Sequence, residues 1–175
     1  MRVSPGRIDT YYDTIAPSYD ELYETEQYEK LKLIYHHLDK DDKNSAVTIL
    51  DVGCGTGITA RLFKCNLFVG IDPSLKLLRY AKEKFSQASW VRAVAEHIPF
   101  KSSIFDTVIA LTAVHNFKSI TAGLGEIKRT AKRRVILTVL YRCKNYHQIC
   151  KLISEYFKVD KIIGSKQDRI YICRI

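Results

Sequence analysis

The segment Val47-Thr48-Ile49-Leu50-Asp51-Val52 runs straight into Gly53-Cys54-Gly55-Thr56-Gly57. A short apolar run of this kind reads as a buried strand, and glycine at every second position after it reads as a tight turn. Glycine there lets the backbone enter left-handed conformations and lets a ligand approach with no Cβ in the way. The spacing predicts a helix over about Thr56–Phe63, whose first N–H groups would face the ligand. Strand, Gly-rich turn and helix form the entry to nucleotide or nucleoside pockets in open α/β sheets. The G-x-G-x-G spacing differs from the phosphate-cradling G-x-x-x-x-G-K-[ST], and no Lys follows it. A nucleoside-type ligand is therefore favoured over a triphosphate.

Strands and helices alternate along the rest of the chain. Apolar positions recur at helical spacing from about Gln27 to Leu38. After the strand Val47–Val52 come strands at Leu67–Ile71, Ser89–Val94, Phe105–Leu111 and Val135–Leu140. Helices are expected at a segment opened by Ser74, at Ser119–Thr130 and at Asn145–Phe157. Two closing strands, Val159–Ile163 and Ile170–Arg174, flank the turn Gly164–Asp168. This order predicts a three-layer, Rossmann-like α/β fold: a seven-stranded, mostly parallel sheet with an antiparallel last strand. Residues 1–175 are expected to form one domain, with 1–45 as a helical cap and 46–175 as the core.

Composition excludes several classes. No apolar run approaches the ~20 residues of a membrane span, and Met1–Tyr12 lacks the apolar stretch of a secretory signal. Five cysteines with no C-x-x-C pair indicate neither a disulfide framework nor a metal site. A reducing cytoplasm is the expected setting. The net charge of +9 is uneven: residues 118–175 hold 14 Lys/Arg against 4 Asp/Glu. A basic half of this kind suits a polyanionic partner, or solubility alone.

Five segments in order carry a resemblance to the class I S-adenosylmethionine-dependent methyltransferases. They are Val47–Gly57, Gly70-Ile71-Asp72, Ala95-Glu96-His97-Ile98-Pro99-Phe100, Phe105–Phe117, and Tyr12-Asp13-Thr14-Ile15-Ala16-Pro17-Ser18-Tyr19-Asp20. The last resembles the entry segment of enzymes related to quinone synthesis and tRNA wobble modification. The resemblance implies S-adenosyl-L-methionine as cofactor. It implies Asp51, Gly53, Gly55 and Gly57 at the methionine end, and Asp72 with Pro73 at the ribose. It implies Ala95 and Glu96 at the adenine, Leu111 beside the transferable methyl, and Tyr12 and Tyr19 closing over the cofactor. Many relatives carry Asp where this chain has Val94, so Glu96 or backbone is expected to serve the adenine amino group.

His115 and Asn116, just past the fourth strand, are the candidate catalytic pair. Histidine near neutral pKa can take a proton, and an asparagine amide can orient a base edge. The acceptor is less constrained. The segment between the fifth strand and the next helix is short, leaving no lid from that side. Lys118, Arg142, Lys144, Lys166 and Arg169 are expected to rim the mouth. These features favour RNA of the translation apparatus, tRNA or rRNA, as substrate, with protein and quinone-type small molecules as alternatives. A non-catalytic cofactor-binding scaffold is a further reading. By resemblance to compact translation methyltransferases, a small activator protein is expected along the third strand, which offers Trp90 and Val91.

Overall fold

The computed structural model describes residues 19–40 and 47–175, with side chains from Thr25 onward. Tyr12 and the side chain of Tyr19 lie outside it, as does most of the Tyr12–Asp20 segment. Helix α1 spans Tyr19–His37, eight residues longer at its start than the apolar spacing alone indicated. Strands β1 (Thr48–Val52), β2 (Leu67–Asp72), β3 (Ser89–Arg92), β4 (Phe105–Ala110) and β5 (Ala131–Leu140) follow. Helices α2 (Leu75–Lys84), α3 (Ile120–Thr130) and α4 (Tyr146–Tyr156) lie between them, and β6 (Lys158–Gly164) and β7 (Asp168–Arg174) close the chain.

The seven strands make one sheet in the order β3-β2-β1-β4-β5-β7-β6. The β1–β2, β2–β3, β1–β4 and β4–β5 pairs are parallel, and β7 runs antiparallel to both β5 and β6. The fold class expected from the alternation is therefore the one observed. The strand order reverses at β1, between β2 and β4. Ligands in open α/β sheets bind outside the strand C-terminal ends at such a switch point.

The central strands are largely apolar, β1, β2 and the second half of β5 most of all, because both faces of the sheet are covered there. One face packs Leu50, Val52, Val108 and Val135 against Leu124 and Ile127 of α3 and Ile149 and Ile153 of α4. The other packs Ile49, Ile109, Ile136 and Ile172 against Leu31 and Ile34 of α1 and Leu38 just past its end. Ser74 and Ser119 cap α2 and α3, each accepting a backbone N–H three residues on. The antiparallel pairing sets Asp168 level with Leu140, so the start of β7 lies at the same sheet edge as the ends of β1, β4 and β5.

Candidate active site

The glycine loop is built as its spacing requires. Gly53, Gly55 and Gly57 have φ of 73°, 55° and 80°, the left-handed region. The Gly53 and Cys54 amides both donate to the Ile71 carbonyl, at 2.8 and 3.0 Å, folding the loop back over β2. A Cβ on Gly53 would lie 2.6 Å from the Ala113 Cβ, so the loops after β1 and β4 approach closely at the switch point.

The helix expected over Thr56–Phe63 is absent. A 3-10 turn, Ile58–Arg61, takes its place. Left-handed Gly57 delays the first helical residue to Ile58, and the chain must reach β2 at Leu67. No extended helix dipole points at this loop. What organises it is a carboxylate instead. Asp72 Oδ2 accepts the Gly55 amide at 2.9 Å, and Oδ1 accepts the Ser74 amide at 2.8 Å. Asp72 thus fixes the loop from the end of β2. Pro73 turns its carbonyl outward to Arg92 Nε at 3.0 Å.

Asp51 ends β1 nearly sealed, 1% exposed, with neither oxygen hydrogen-bonded among the described residues. Burial is the main reason its pKa rises to about 7, the nearby Thr59 hydroxyl offsetting part and Asp72 adding to it. An unpaired buried carboxylate is the partner a ligand ammonium needs. Cys54 lies between these acids, and burial pushes its thiol well above the usual range. It is a filler, not a nucleophile.

The Ala95–Phe100 turn is held from α3. Glu126 Oε2 accepts the Ile98 amide at 2.9 Å. Arg129 donates to the Phe100 and Ile98 carbonyls at 2.7 and 3.0 Å, and to both Glu126 oxygens. Ala95 is buried. Glu96 is tied to the start of α3: its Oε1 accepts the Ser119 amide at 3.1 Å.

Trp90 also departs from expectation. Its ring does not present an apolar edge. It lies under the glycine loop, where a Cβ on Gly70 would stand 2.4 Å from Cζ3 and one on Gly57 2.4 Å from Cη2. Its Nε1 donates to the Phe85 carbonyl at 3.2 Å. Val91 packs against the α3–α4 core. Among the described residues β3 pairs with β2 alone, which leaves its other backbone edge open there.

His115 and Asn116 lie in a short 3-10 turn, Val114–Asn116, both half-buried, with Leu111 buried at its approach. Beneath them is a polar cluster that local sequence patterns did not reveal. Lys30 of α1, 3% exposed, reaches Thr112 Oγ1 at 2.7 Å and Asp168 Oδ2 at 2.5 Å. Gln27 Nε2 donates to the same Thr112 hydroxyl at 3.3 Å, and Thr138 Oγ1 accepts the Thr112 amide at 2.7 Å. One signal was available: Gln27 and Lys30 fall on the helical stripe of Leu31, Ile34 and Leu38.

Lys118, Arg142, Lys144 and Lys166 are exposed at the strand C-terminal edge, with Arg169 half-buried against the Tyr146 ring. Part of the remaining basic charge is internal. Arg134 binds Asp160 at 2.8 Å and Asp39 at 3.2 Å, and Arg129 is spent on the turn described above.

Residues 50–139 match the family model described as a methyltransferase domain. The chain belongs to that family. Its motifs, sheet order and glycine loop are those of the class I S-adenosylmethionine-dependent methyltransferases. An uncharacterised protein of Methanocaldococcus jannaschii is 30% identical over 151 residues, covering 86% of this chain and 57% of its own. The ubiquinone/menaquinone biosynthesis C-methyltransferase of Campylobacter jejuni is 27% identical, covering 77% of this chain and 63% of its own. The chain thus spans about three-fifths of these relatives. The demethylmenaquinone methyltransferase of Lactiplantibacillus plantarum is 27% identical over 87% of this chain. Among solved structures, the magnesium protoporphyrin IX methyltransferase of Synechocystis with bound S-adenosylhomocysteine has a TM-score of 0.79 at 16% identity, covering 97% and 98% of the two chains. A Haloferax volcanii methyltransferase in complex with the Trm112 activator also gives 0.79, at 13% identity over 93% and 96%. Among the described residues, no helix is long and apolar enough to cross a membrane.

The residues present fit S-adenosylmethionine. The orphaned Asp51 carboxylate offers a partner for an ammonium, and Asp72, with two acceptor oxygens, ends β2 about twenty residues after the loop begins. The Gly53 cradle has no room for a Cβ.

Proposed function

We propose that this chain transfers the methyl group of S-adenosylmethionine to a small acceptor of the quinol or phenol type. The observation that carries this is the match to quinone-pathway C-methyltransferases over 77–87% of the chain. The cofactor supplies an already activated methyl on a sulfonium, so the protein need only position, desolvate and manage a proton. Asp51 holds the cofactor's ammonium, Asp72 the ribose, and the Ala95–Phe100 backbone the adenine. His115 would take the proton that the acceptor gives up when the bound cofactor supplies its methyl group. Asn116 orients the acceptor.

A second reading, RNA as acceptor, is favoured by one observation: four exposed cations stand at the same sheet edge as the site. Rim cations of this kind give salt-sensitive affinity for phosphates. The test uses radiolabelled cofactor with a demethylated quinol, tRNA and rRNA in parallel, at low and high salt. Transfer to the quinol alone supports the first reading. Transfer to RNA that falls steeply with salt replaces it. Cofactor binding without transfer to any acceptor leaves the scaffold reading.

The β3 edge, which no other described strand pairs, would receive a strand of a small activator protein, as edge strands accept added strands. Co-purification from the native source tests this, and recovery of the chain without a small companion counts against it.

A further inference from the structure

The chain bends sharply at Thr112, just past β4. Its φ of 53° lies in the left-handed region, where a β-branched residue is costly to hold. Such a conformation persists only where the surroundings over-determine it. Three elements do so here. From β5, Thr138 Oγ1 accepts the Thr112 amide at 2.7 Å. From α1, Lys30 Nζ donates to the Thr112 hydroxyl oxygen at 2.7 Å, and Gln27 Nε2 donates to it at 3.3 Å. From β7, Asp168 pairs with the Lys30 ammonium and holds it in place. Gln27, Lys30, Thr138 and Asp168 are all buried, so water does not compete for these bonds.

The bend directs the gap between two loops. Ala113, the next residue, brings its Cβ to 2.6 Å from where a Cβ on Gly53 would lie. Val114 is fully buried. The turn that carries His115 and Asn116 then closes, with the Asn116 amide on the Ala113 carbonyl at 2.9 Å and the Phe117 amide on the Val114 carbonyl at 3.2 Å. The direction of the chain at Thr112 therefore sets both its approach to the glycine loop and the place of the candidate catalytic pair.

We propose that Thr112 is the positioning residue of this site: its left-handed bend, clamped by Lys30 and Thr138, fixes the His115–Asn116 turn against the glycine loop. This rests on the reading of that turn as the place where the acceptor lies. In-line transfer needs the reacting atoms at about 3–3.5 Å, and a misplacement of about 1 Å costs roughly a hundredfold in rate. A Thr112 relaxed to an ordinary φ would swing Ala113 off Gly53 and carry His115 and Asn116 with it. Glycine would take the same φ without strain, but it has no hydroxyl to clamp. Lys30 also makes α1 part of the acceptor side, because undocking α1 would release the bend.

The test is amide hydrogen exchange by NMR on the full chain, without cofactor or acceptor. Asn116 and Phe117 report the turn, and Val135 and Ile136 of β5 report the whole fold. Thr112→Val keeps the shape and loses the hydroxyl, so the turn amides should exchange about tenfold faster relative to the β5 amides. Thr112→Ser keeps the hydroxyl and should exchange as wild type does. Thr138→Val removes the acceptor of the Thr112 amide and should repeat the Thr112→Val result. Thr138→Ser should not. Should Thr112→Val fail to fold, the Thr138 pair carries the same test. With radiolabelled cofactor and a demethylated quinol, both valine variants should lose about tenfold in kcat, with acceptor KM held within about twofold. Equal exchange in Thr112→Val and Thr112→Ser, or turn and β5 amides speeding up in step, overturns the proposal. So does a loss carried by KM alone. Wild type that transfers to no acceptor would sink the methyl-transfer reading by itself, and the exchange ratios would still decide the role of Thr112.

Discussion

The Asp72 carboxylate joins the end of β2 to the middle of the loop after β1 by accepting the Gly55 amide at 2.9 Å. Its other oxygen holds Ser74, which caps α2. One side chain therefore shapes the glycine loop and holds the residue that caps a helix, and we propose that it also binds the ribose. Asp72→Ala leaves two buried N–H groups without acceptors. It should lower apo stability by about 2–3 kcal/mol and weaken cofactor binding by about 1.5–3 kcal/mol. Calorimetric titration and thermal unfolding check both. Unchanged affinity would mean that the ribose is held elsewhere.

Gly70 and Trp90 make a second, separable prediction. Gly70 has no positive φ, and a Cβ there meets only side chains, Trp90 and Cys54 Sγ at 2.4–2.8 Å. Gly70→Ala should cost about 1–3 kcal/mol by overpacking. Trp90→Leu in the same chain should recover much of that loss. Gly57→Ala meets the same ring but also carries φ of 80°, so Trp90→Leu should not rescue it. Equal rescue of both in urea unfolding would show that strain at Gly57 is negligible.

These pairs show what could be read along the chain and what could not. The alternation of strands and helices and the antiparallel closing strand follow from periodicity and turns, because buried parallel strands read as apolar runs. The glycine loop follows from its spacing. The helix after it was misjudged because the left-handed Gly57 and the nearby start of β2 set its length, not its propensity. Trp90 read as an exposed edge because alternation does not say that two distant glycines leave room beneath them. Lys30 and Asp168 were missed for a different reason. A buried ion pair 138 residues apart leaves no local trace, except that Lys30 stands on an apolar helical stripe.

The Ala95–Phe100 turn yields a third prediction. Arg129 grips the Phe100 and Ile98 carbonyls while its planar fork is fixed on Glu126. Lysine keeps the charge but cannot hold both carbonyls in that geometry. The pair is partly exposed, so Arg129→Lys should cost only about 1 kcal/mol of stability. The local effect should be larger: the Ile98 amide, held by Glu126 at 2.9 Å, should exchange roughly tenfold faster in hydrogen-exchange mass spectrometry. Cofactor affinity should fall with it. Unaltered exchange at Ile98 would mean the turn is self-supporting.

Asp51 makes stability and binding depend on pH in opposite directions. Its pKa is about 7 in the folded chain, raised chiefly by burial from an ordinary 3.8. The folded state therefore holds a proton that the unfolded state releases near pH 4. Its contribution to stability is full below about pH 4 and is lost as pH rises through about 7, a change on the order of 4 kcal/mol. Asp51→Asn, neutral at every pH, should flatten that slope in unfolding experiments from pH 4 to 8. An ammonium binds the ionised carboxylate, so cofactor affinity should rise across the same interval, and binding near pH 6 should release close to one proton. Titration calorimetry in buffers of different ionisation enthalpy counts that proton. No release at pH 6, with an Asp51→Asn affinity equal to wild type, would remove Asp51 from the cofactor's ammonium.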